Sequence, residues 1–446
     1  MNPDAAVIGG GFAGIAAGVA LTKAGLRVLL VEARAKLGGR ASTIVDRTTG
    51  EPVDNGQHVL FGCYRETLAL LEDLGRRDAI AVQPALHVPF AGPDGVRRDL
   101  RCAQLPAPFN LAVGLMRWGA LDLRDRLAAA RFAMALRAGR AEPHPDETVG
   151  AWLTRMKQPR RVCGWLWEPL AIAALNESPN AAAAEMFAAV LRELLGPGRT
   201  AASLALPRVP LSDLYAEPAR AYLEKQGGAV RTGRPARVAI ENSAFVIRAG
   251  DDRWRVPAIV AAVPWHTFGS LFDNGTPQAL ADIDASASAM TAVPIVTVNL
   301  WYDRPVLDVP FVGLVGRTAQ WVFDRRALTG ENASHVSVIT SAASGLAVRD
   351  DRAILDLITA DLRATLPGAR TAEVTRATVI RERQATFSVA PGQPPRPPER
   401  TPLAGFYLAG DWLRTGLPGT IEGAVRSGNR AAAELLCDRS SSTTTR

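Results

Sequence analysis

From Ala5 to Glu32 the chain reads AAVIGGGFAGIAAGVALTKAGLRVLLVE, and few folds accommodate that order. A short apolar run (Ala5–Ile8), a small-residue stretch from Phe12 to Ala24 and a second apolar run (Leu26–Val31) predict strand, helix and strand, with the strands parallel. Between the first strand and the helix stands Gly9-x-Gly11-x-x-Gly14. The first glycine permits a tight turn, the second lets a pyrophosphate approach the backbone, and the third allows close helix–strand packing. Phosphate then sits over the positive end of a helix that opens with Phe12 and Ala13. Glu32 ends the second strand at the spacing that suits ribose hydroxyls, with Ala33 beside it. The expected class is α/β, built on a doubly wound, Rossmann-like dinucleotide-binding domain.

At 446 residues the chain exceeds one ordinary core. A hydrophobic content of 48% marks it as globular, and no apolar run reaches bilayer-spanning length. Cys63, Cys102, Cys163 and Cys437 are far apart, which argues against a zinc site or a disulfide framework and predicts no metal. With no signal-like segment at its start, the chain is expected in the cytoplasm. The net charge of +7 is carried mostly by Arg. No basic run is interleaved with aromatics, so nucleic acid is not the expected partner.

The text after Glu32 selects among dinucleotides. Arg34, Gly38, Gly39 and Arg40 follow within VEARAKLGGR, a second glycine pair that an NAD domain does not need. Near the other end, LAGDW (Leu408–Trp412) leads into LPGTIEGAVRSGNRAA. Together these resemble the flavin-containing amine oxidase superfamily, which includes carotenoid desaturases and protoporphyrinogen oxidase. The resemblance implies FAD: Arg34, Gly39 and Arg40 at the pyrophosphate, Gly410 and Asp411 at the ribityl–pyrophosphate part, and backbone near Val238 at the adenine. It also implies a helix starting at Thr420, Ile421, Glu422 and Ala424 whose N-terminus faces the flavin C2 carbonyl. A helix N-terminus there stabilises the charge that collects on reduced flavin.

The stretch VDNGQHVLFGCY (Val53–Tyr64) packs an acid, an amide, a histidine and two glycines before an apolar run. In the resembled superfamily it falls against the flavin. Gly56 then gives close backbone approach, Gln57, His58 and Val59 line the ring, and the apolar run starts a substrate tunnel. DNGQHVLFGCYRETLALLEDLG and AGDWLRTGLPGTIEGAVRSGNRAA together resemble the hydroxysqualene dehydroxylase family, whose members work in hopanoid synthesis. That implies a reductive dehydroxylation of a hydrophobic C30 isoprenoid. His58 is the expected proton donor, with Asp54 and Glu422 as alternates, and Phe61, Tyr64 and Trp412 are the expected tunnel aromatics. A carotenoid-type desaturase is the nearest rival. An amine oxidase and a non-catalytic prenyl-binding protein of the same fold stand further off.

The expected layout is a FAD domain assembled from residues 1–85, 211–265 and 390–437. A helical insertion occupies 86–210, a substrate-domain sheet with helices 266–389, and a disordered tail 438–446. Only one dinucleotide fingerprint is present, so the electron donor is a separate species that the sequence does not name. The Arg-studded amphipathic region 115–140 is the expected place for peripheral contact with the inner face of the cytoplasmic membrane.

Overall fold

Five short apolar strands form one parallel sheet in the order Ala229–Arg231, Val28–Val31, Ala5–Ile8, Ile259–Ala261, Phe406–Leu408. Counted along the chain this is 3-2-1-4-5, the order of a dinucleotide-binding sheet. These strands read as continuous hydrophobic runs because both faces are covered. The computed structural model describes residues 3–46, 50–241 and 244–444, without the side chains of 442–444.

Alternation sends successive residues to two different cores. Ala5, Val7, Leu30, Val260 and Tyr407 face a helical layer, where helix Phe12–Lys23 lies against the C-terminal helix Ile421–Thr444. Ala6, Ile8, Leu29, Ile259 and Leu408 face the other way. There a three-stranded antiparallel sheet (Arg237–Glu241, Ala244–Ala249, Asp252–Val256) contributes Phe245, Ile247 and Val256. The second face is thus covered by strands.

The second part of the molecule rests on a six-stranded mixed sheet. Its order is Val374–Phe387, Ala292–Tyr302, Ser334–Thr340, Trp321–Asp324, Phe311–Leu314, Phe90–Ala91. Helix Asp351–Thr365, capped by the Asp350 carboxylate on Ala353 N (2.8 Å), buries Ile354, Ile358 and Leu362 against one face. Opposite the other face stand Phe109–Arg117, Leu123–Arg137 and a helical run from Arg160 to Leu175 containing a π-turn at Cys163–Trp167. A perpendicular cluster of Phe132 with Trp152 and Trp167, centroids 4.9 and 5.2 Å apart, knits these helices together. The run ends at Asn176, which adopts φ 51° and ties the helices to the sheet: its amide donates to Val293 O (3.0 Å) and Thr386 Oγ1 (2.9 Å) and accepts from Ala342 N (2.7 Å).

The structure differs from the sequence reading at the C-terminus. The last helix, expected to stop near Leu436 with a disordered tail after it, runs on to Thr444. Tyr407 donates to Asp438 (2.6 Å) and Arg400 pairs with the same carboxylate (2.8 Å), so tertiary contacts extend the helix past its apolar face. Residues 445–446 of that tail lie outside the described residues.

Helices Phe12–Lys23 and Ile421–Thr444 touch at Gly428, where a Cβ would lie 2.2 Å from Ala13 O. Gly428→Val must push the two helices apart. Overpacking of this kind costs about 1–3 kcal/mol, so calorimetry should give a melting temperature several degrees lower. An unchanged melt would mean that the two helices do not need this contact.

Candidate active site

The sheet order reverses between Ala5–Ile8 and Ile259–Ala261, and ligands of such sheets bind in the crevice beyond those strand ends. Gly9 occupies it with φ 110°, and a Cβ there would lie 2.3 Å from Ala262 O. A Cβ on Gly14 would lie 1.9 Å from Gly9 O, so Gly14 packs behind the turn. Gly11 caps helix Phe12–Lys23 without a side chain, and no acid stands in the first turn. Its leading N–H groups are therefore open to an anion. The second glycine pair closes on the first: Gly39, at φ 57°, would bring a Cβ within 3.1 Å of Gly11 Cα.

Polar groups flank this backbone cradle. Buried Glu32 accepts from Gly10 N (2.6 Å) and Arg34 N (2.7 Å), and each oxygen keeps a lone pair for a hydroxyl. Arg34 donates to Gly39 O (2.9 Å). Arg40 pairs with Asp411 and donates to Ala385 O (2.8 Å). From the other side comes helix Ile421–Thr444, capped by Thr420 Oγ1 on Gly423 N (3.0 Å), with Thr420, Ile421 and Ala424 on the wall. One helix N-terminus for phosphate and a second for a flavin ring, joined by a ribose-binding acid, fit FAD.

A cavity of about 820 Å³ runs from this groove into the second part of the molecule. Its far walls are Leu111, Leu115, Ala129 and Leu170 from the helices and Phe311, Trp321 and Ile339 from the six-stranded sheet. Gly9, Gly11, Phe12, Ala13, Ala33, Arg34, Gly39, Arg40, Gly56, Gln57, His58, Phe61, Tyr64, Gly410 and Asp411 all reach it.

Three residues stand in other roles than the sequence suggested. Val238 is buried with its carbonyl taken by Asp273 N (3.1 Å), and Ala236 and Arg237 form the wall instead. Glu422 turns away to cap helix Arg65–Asp73, accepting from Thr67 N (2.9 Å) and Thr67 Oγ1 (2.7 Å). Trp412 borders the cavity, but it is fully buried and its indole is committed to Val263 O (3.0 Å).

The loop Asp54–His58 is held by contacts from both parts of the molecule. Asp54 accepts from Thr43 Oγ1 (2.7 Å) and Leu211 N (3.1 Å), and Asn55 donates to Arg40 O (2.6 Å). Arg325, only 5% exposed, sends Nη1 to Gln57 Oε1 (2.9 Å) and to Asp54 (3.3 Å). Its Nε meets Glu331 (3.1 Å), whose other oxygen lies 2.7 Å from His335 Nδ1. Burial works to raise the Glu331 carboxyl, but His335 and Arg325 outweigh it and hold it at about 2. His58 Nε2 lies 3.3 Å from Asn55 Oδ1. Burial pushes His58 below the ordinary histidine range, against the pull of Asp54. His266, on the groove wall, is lowered by burial and by Arg40 and Arg34. Sequence reasoning missed His266, Arg325 and Asn55; the only available signal was the position of Asn55 within DNGQH.

These shifts set the sign of an acid effect. A histidine whose folded pKa is lowered binds its proton more readily when unfolded. Its stability contribution is therefore complete above about pH 6.5 and falls as pH drops toward the folded value. The Glu331 contribution is lost only below about 4.5. The melting temperature should fall between pH 7 and pH 5, and His58→Gln should flatten part of that slope. A parallel slope in the variant would remove His58 from the effect.

Three comparisons agree with this geometry. The sequence profile of the flavin containing amine oxidoreductases matches residues 12–436. A hydroxysqualene dehydroxylase of Sinorhizobium fredii is 30% identical, the alignment covering 98% of this chain and 99% of the relative. A 15-cis-phytoene desaturase of Solanum lycopersicum is 25% identical over 97% of this chain and 77% of its own. Among solved structures, a putrescine oxidase superposes with a TM-score of 0.72 at 18% identity, covering 98% and 99% of the two chains. The cofactor is FAD, and this chain belongs to the flavin containing amine oxidoreductase family.

Proposed function

We propose that this flavoenzyme removes the hydroxyl of hydroxysqualene reductively, giving squalene. The observation that carries the reading is the continuity of the cavity. Its polar end is a dinucleotide groove and its remainder an aliphatic and aromatic chamber suited to a long isoprenoid. The full-length similarity to hydroxysqualene dehydroxylase supports the same substrate.

Reduced FAD supplies the hydride that replaces the hydroxyl. The chain's own residues have three other tasks. The amides at the head of helix Ile421–Thr444 would favour negative charge on a flavin ring held at that end of the groove. Gly56 and Gln57, fixed by Arg325, bring backbone to the boundary between groove and chamber. Phe61, Leu170 and Phe311 keep water from a carbon that gains positive character as the C–O bond stretches. His58 stands on the wall as a neutral imidazole, suited to hydrogen bonding rather than to delivering a proton as imidazolium.

Apolar substrate must enter from a lipid phase, and the helices lining the chamber offer a route. Helices Phe109–Arg117 and Leu123–Arg137 turn Leu111, Leu115 and Ala129 inward. Outward they expose Phe109 (64%), Leu123 (58%) and Met134 (66%), with Arg117, Arg124 and Arg131 exposed beside them. That composition fits docking on an anionic bilayer surface. Among the described residues no helix is long and apolar enough to cross a membrane.

Two measurements test these readings. Anaerobic enzyme carrying reduced flavin should regain oxidised-flavin absorbance on addition of hydroxysqualene, with squalene in the lipid extract. Persistent reduced flavin with unchanged substrate would overturn the dehydroxylase reading and favour a desaturase, tested by offering oxidised enzyme a polyene precursor. In flotation with phosphatidylglycerol vesicles, the wild type should rise with the lipid. The triple change Phe109→Ser, Leu123→Ser, Met134→Ser should remain below with its flavin spectrum intact, and equal flotation of both would sink the docking face.

A further inference from the structure

Dehydroxylation needs a proton for the departing oxygen, and the two carboxylates that the sequence offered as alternates are otherwise engaged. Asp54 is held by Thr43, Leu211 N and Arg325, and Glu422 caps a helix. Beside the chamber, however, lies a second hollow of about 20 Å³, room for one water. Phe61, Tyr64 and Thr420 border both spaces, so Tyr64 stands in the partition between them. Its ring is held by Phe61 in a T-shaped contact with centroids 5.7 Å apart. No protein atom among the described residues hydrogen-bonds the Tyr64 hydroxyl. Tyr64 is half-buried and its oxygen faces open space, so water or ligand is left to provide the partner.

The hollow also leads outward. Cys63, Glu193 and Glu422 line it. Glu193 lies in the last turn of helix Ala184–Leu194 with its side chain 38% exposed, held by Arg426 (3.2 Å), which also reaches Glu422 (3.6 Å) and Glu66 (3.8 Å). A partly exposed carboxylate, a water-sized space and an unpartnered phenol thus adjoin one another at the edge of the chamber.

Resting on the dehydroxylation reading, we propose that Tyr64 is the catalytic proton donor, resupplied from solvent through a water in the hollow and Glu193. The C–O bond breaks with its electron pair on oxygen, and the hydride pair forms the new C–H bond. The departing oxygen takes the Tyr64 proton and leaves as water. The Tyr64 oxygen takes a proton from the hollow's water, which is replenished from Glu193 and bulk solvent. Carbon is reduced, flavin oxidised, and one solvent proton consumed per turnover of anionic reduced flavin. Burial first, and then Cys63, Glu422 and Glu193, push the Tyr64 phenol far above its ordinary range. In this relay both proton transfers occur together, so that no tyrosinate is left beside the carboxylates Glu193 and Glu422 that line the hollow.

The test is single-turnover reoxidation of the reduced holoenzyme by hydroxysqualene in H2O and D2O. The wild type should show a solvent isotope effect whose proton inventory involves more than one proton. Tyr64→Phe keeps the ring and should slow the step on the order of 100-fold, with an unchanged flavin spectrum. Glu193→Gln, at a partly exposed site, should slow it less and shift the pH profile. A crystal structure should hold one ordered water within hydrogen-bond distance of the Tyr64 oxygen. Squalene formation by Tyr64→Phe at nearly the wild-type rate, a one-proton inventory, or a hollow filled by side chains would overturn the relay alone. A wild type that leaves hydroxysqualene unchanged would overturn the dehydroxylase reading and the relay together.

Discussion

The site depends on two helices from opposite ends of the chain touching without side chains between them. Gly428 lets helix Ile421–Thr444 lie directly on the Ala13 carbonyl of helix Phe12–Lys23. Each helix contributes its N-terminus to the groove, one at the glycine cradle and one at Thr420–Ile421. The distance between two positive helix ends is thereby set by backbone contact, the least compressible spacer a protein has. A pyrophosphate and a flavin ring held there would be addressed by a rigid pair of dipoles rather than by mobile side chains.

A second constraint joins the groove to the chamber. Arg325 is a buried cation whose partners come from the glycine-rich loop (Asp54, Gln57) and from its own neighbourhood (Glu331). A buried pair of this kind adds little net stability, but losing one partner leaves a costly charge. Its value here is geometric: the loop beside the groove is registered on the six-stranded sheet. Asn176 does the equivalent work without charge, tying the helical wall to Val293, Thr386 and Ala342.

What could be read in advance follows from how local each signal is. The glycine turns, Glu32 and the α/β class were legible because a βαβ turn is specified within about thirty residues. The roles of single residues were harder. Trp412 follows the predicted Asp411, yet its ring turns to Val263, far away in sequence. Glu422 sits in the right motif, but Thr67 claims its carboxylate. Arg325 carries no local signal, since Gln57 lies 268 positions away. The helix beyond Leu436 was hidden because polar residues there are held by Arg400 and Tyr407, not by an apolar face.

The order of the parallel sheet also has a consequence for synthesis. Ala5–Ile8 and Val28–Val31 can pair almost as soon as they emerge, but the next neighbour of Ala5–Ile8 is Ile259–Ala261. At about 5–20 residues per second, that apolar strand waits on the order of 10–50 seconds for its partner. Ile259–Ala261 in turn keeps an open edge until Phe406–Leu408 arrives. The nascent chain thus displays an unpaired hydrophobic strand edge until Phe406–Leu408 is made, the feature that chaperones bind and that aggregation exploits. The groove for FAD is completed later still, because the helix that closes it, Ile421–Thr444, follows Phe406–Leu408 in the chain.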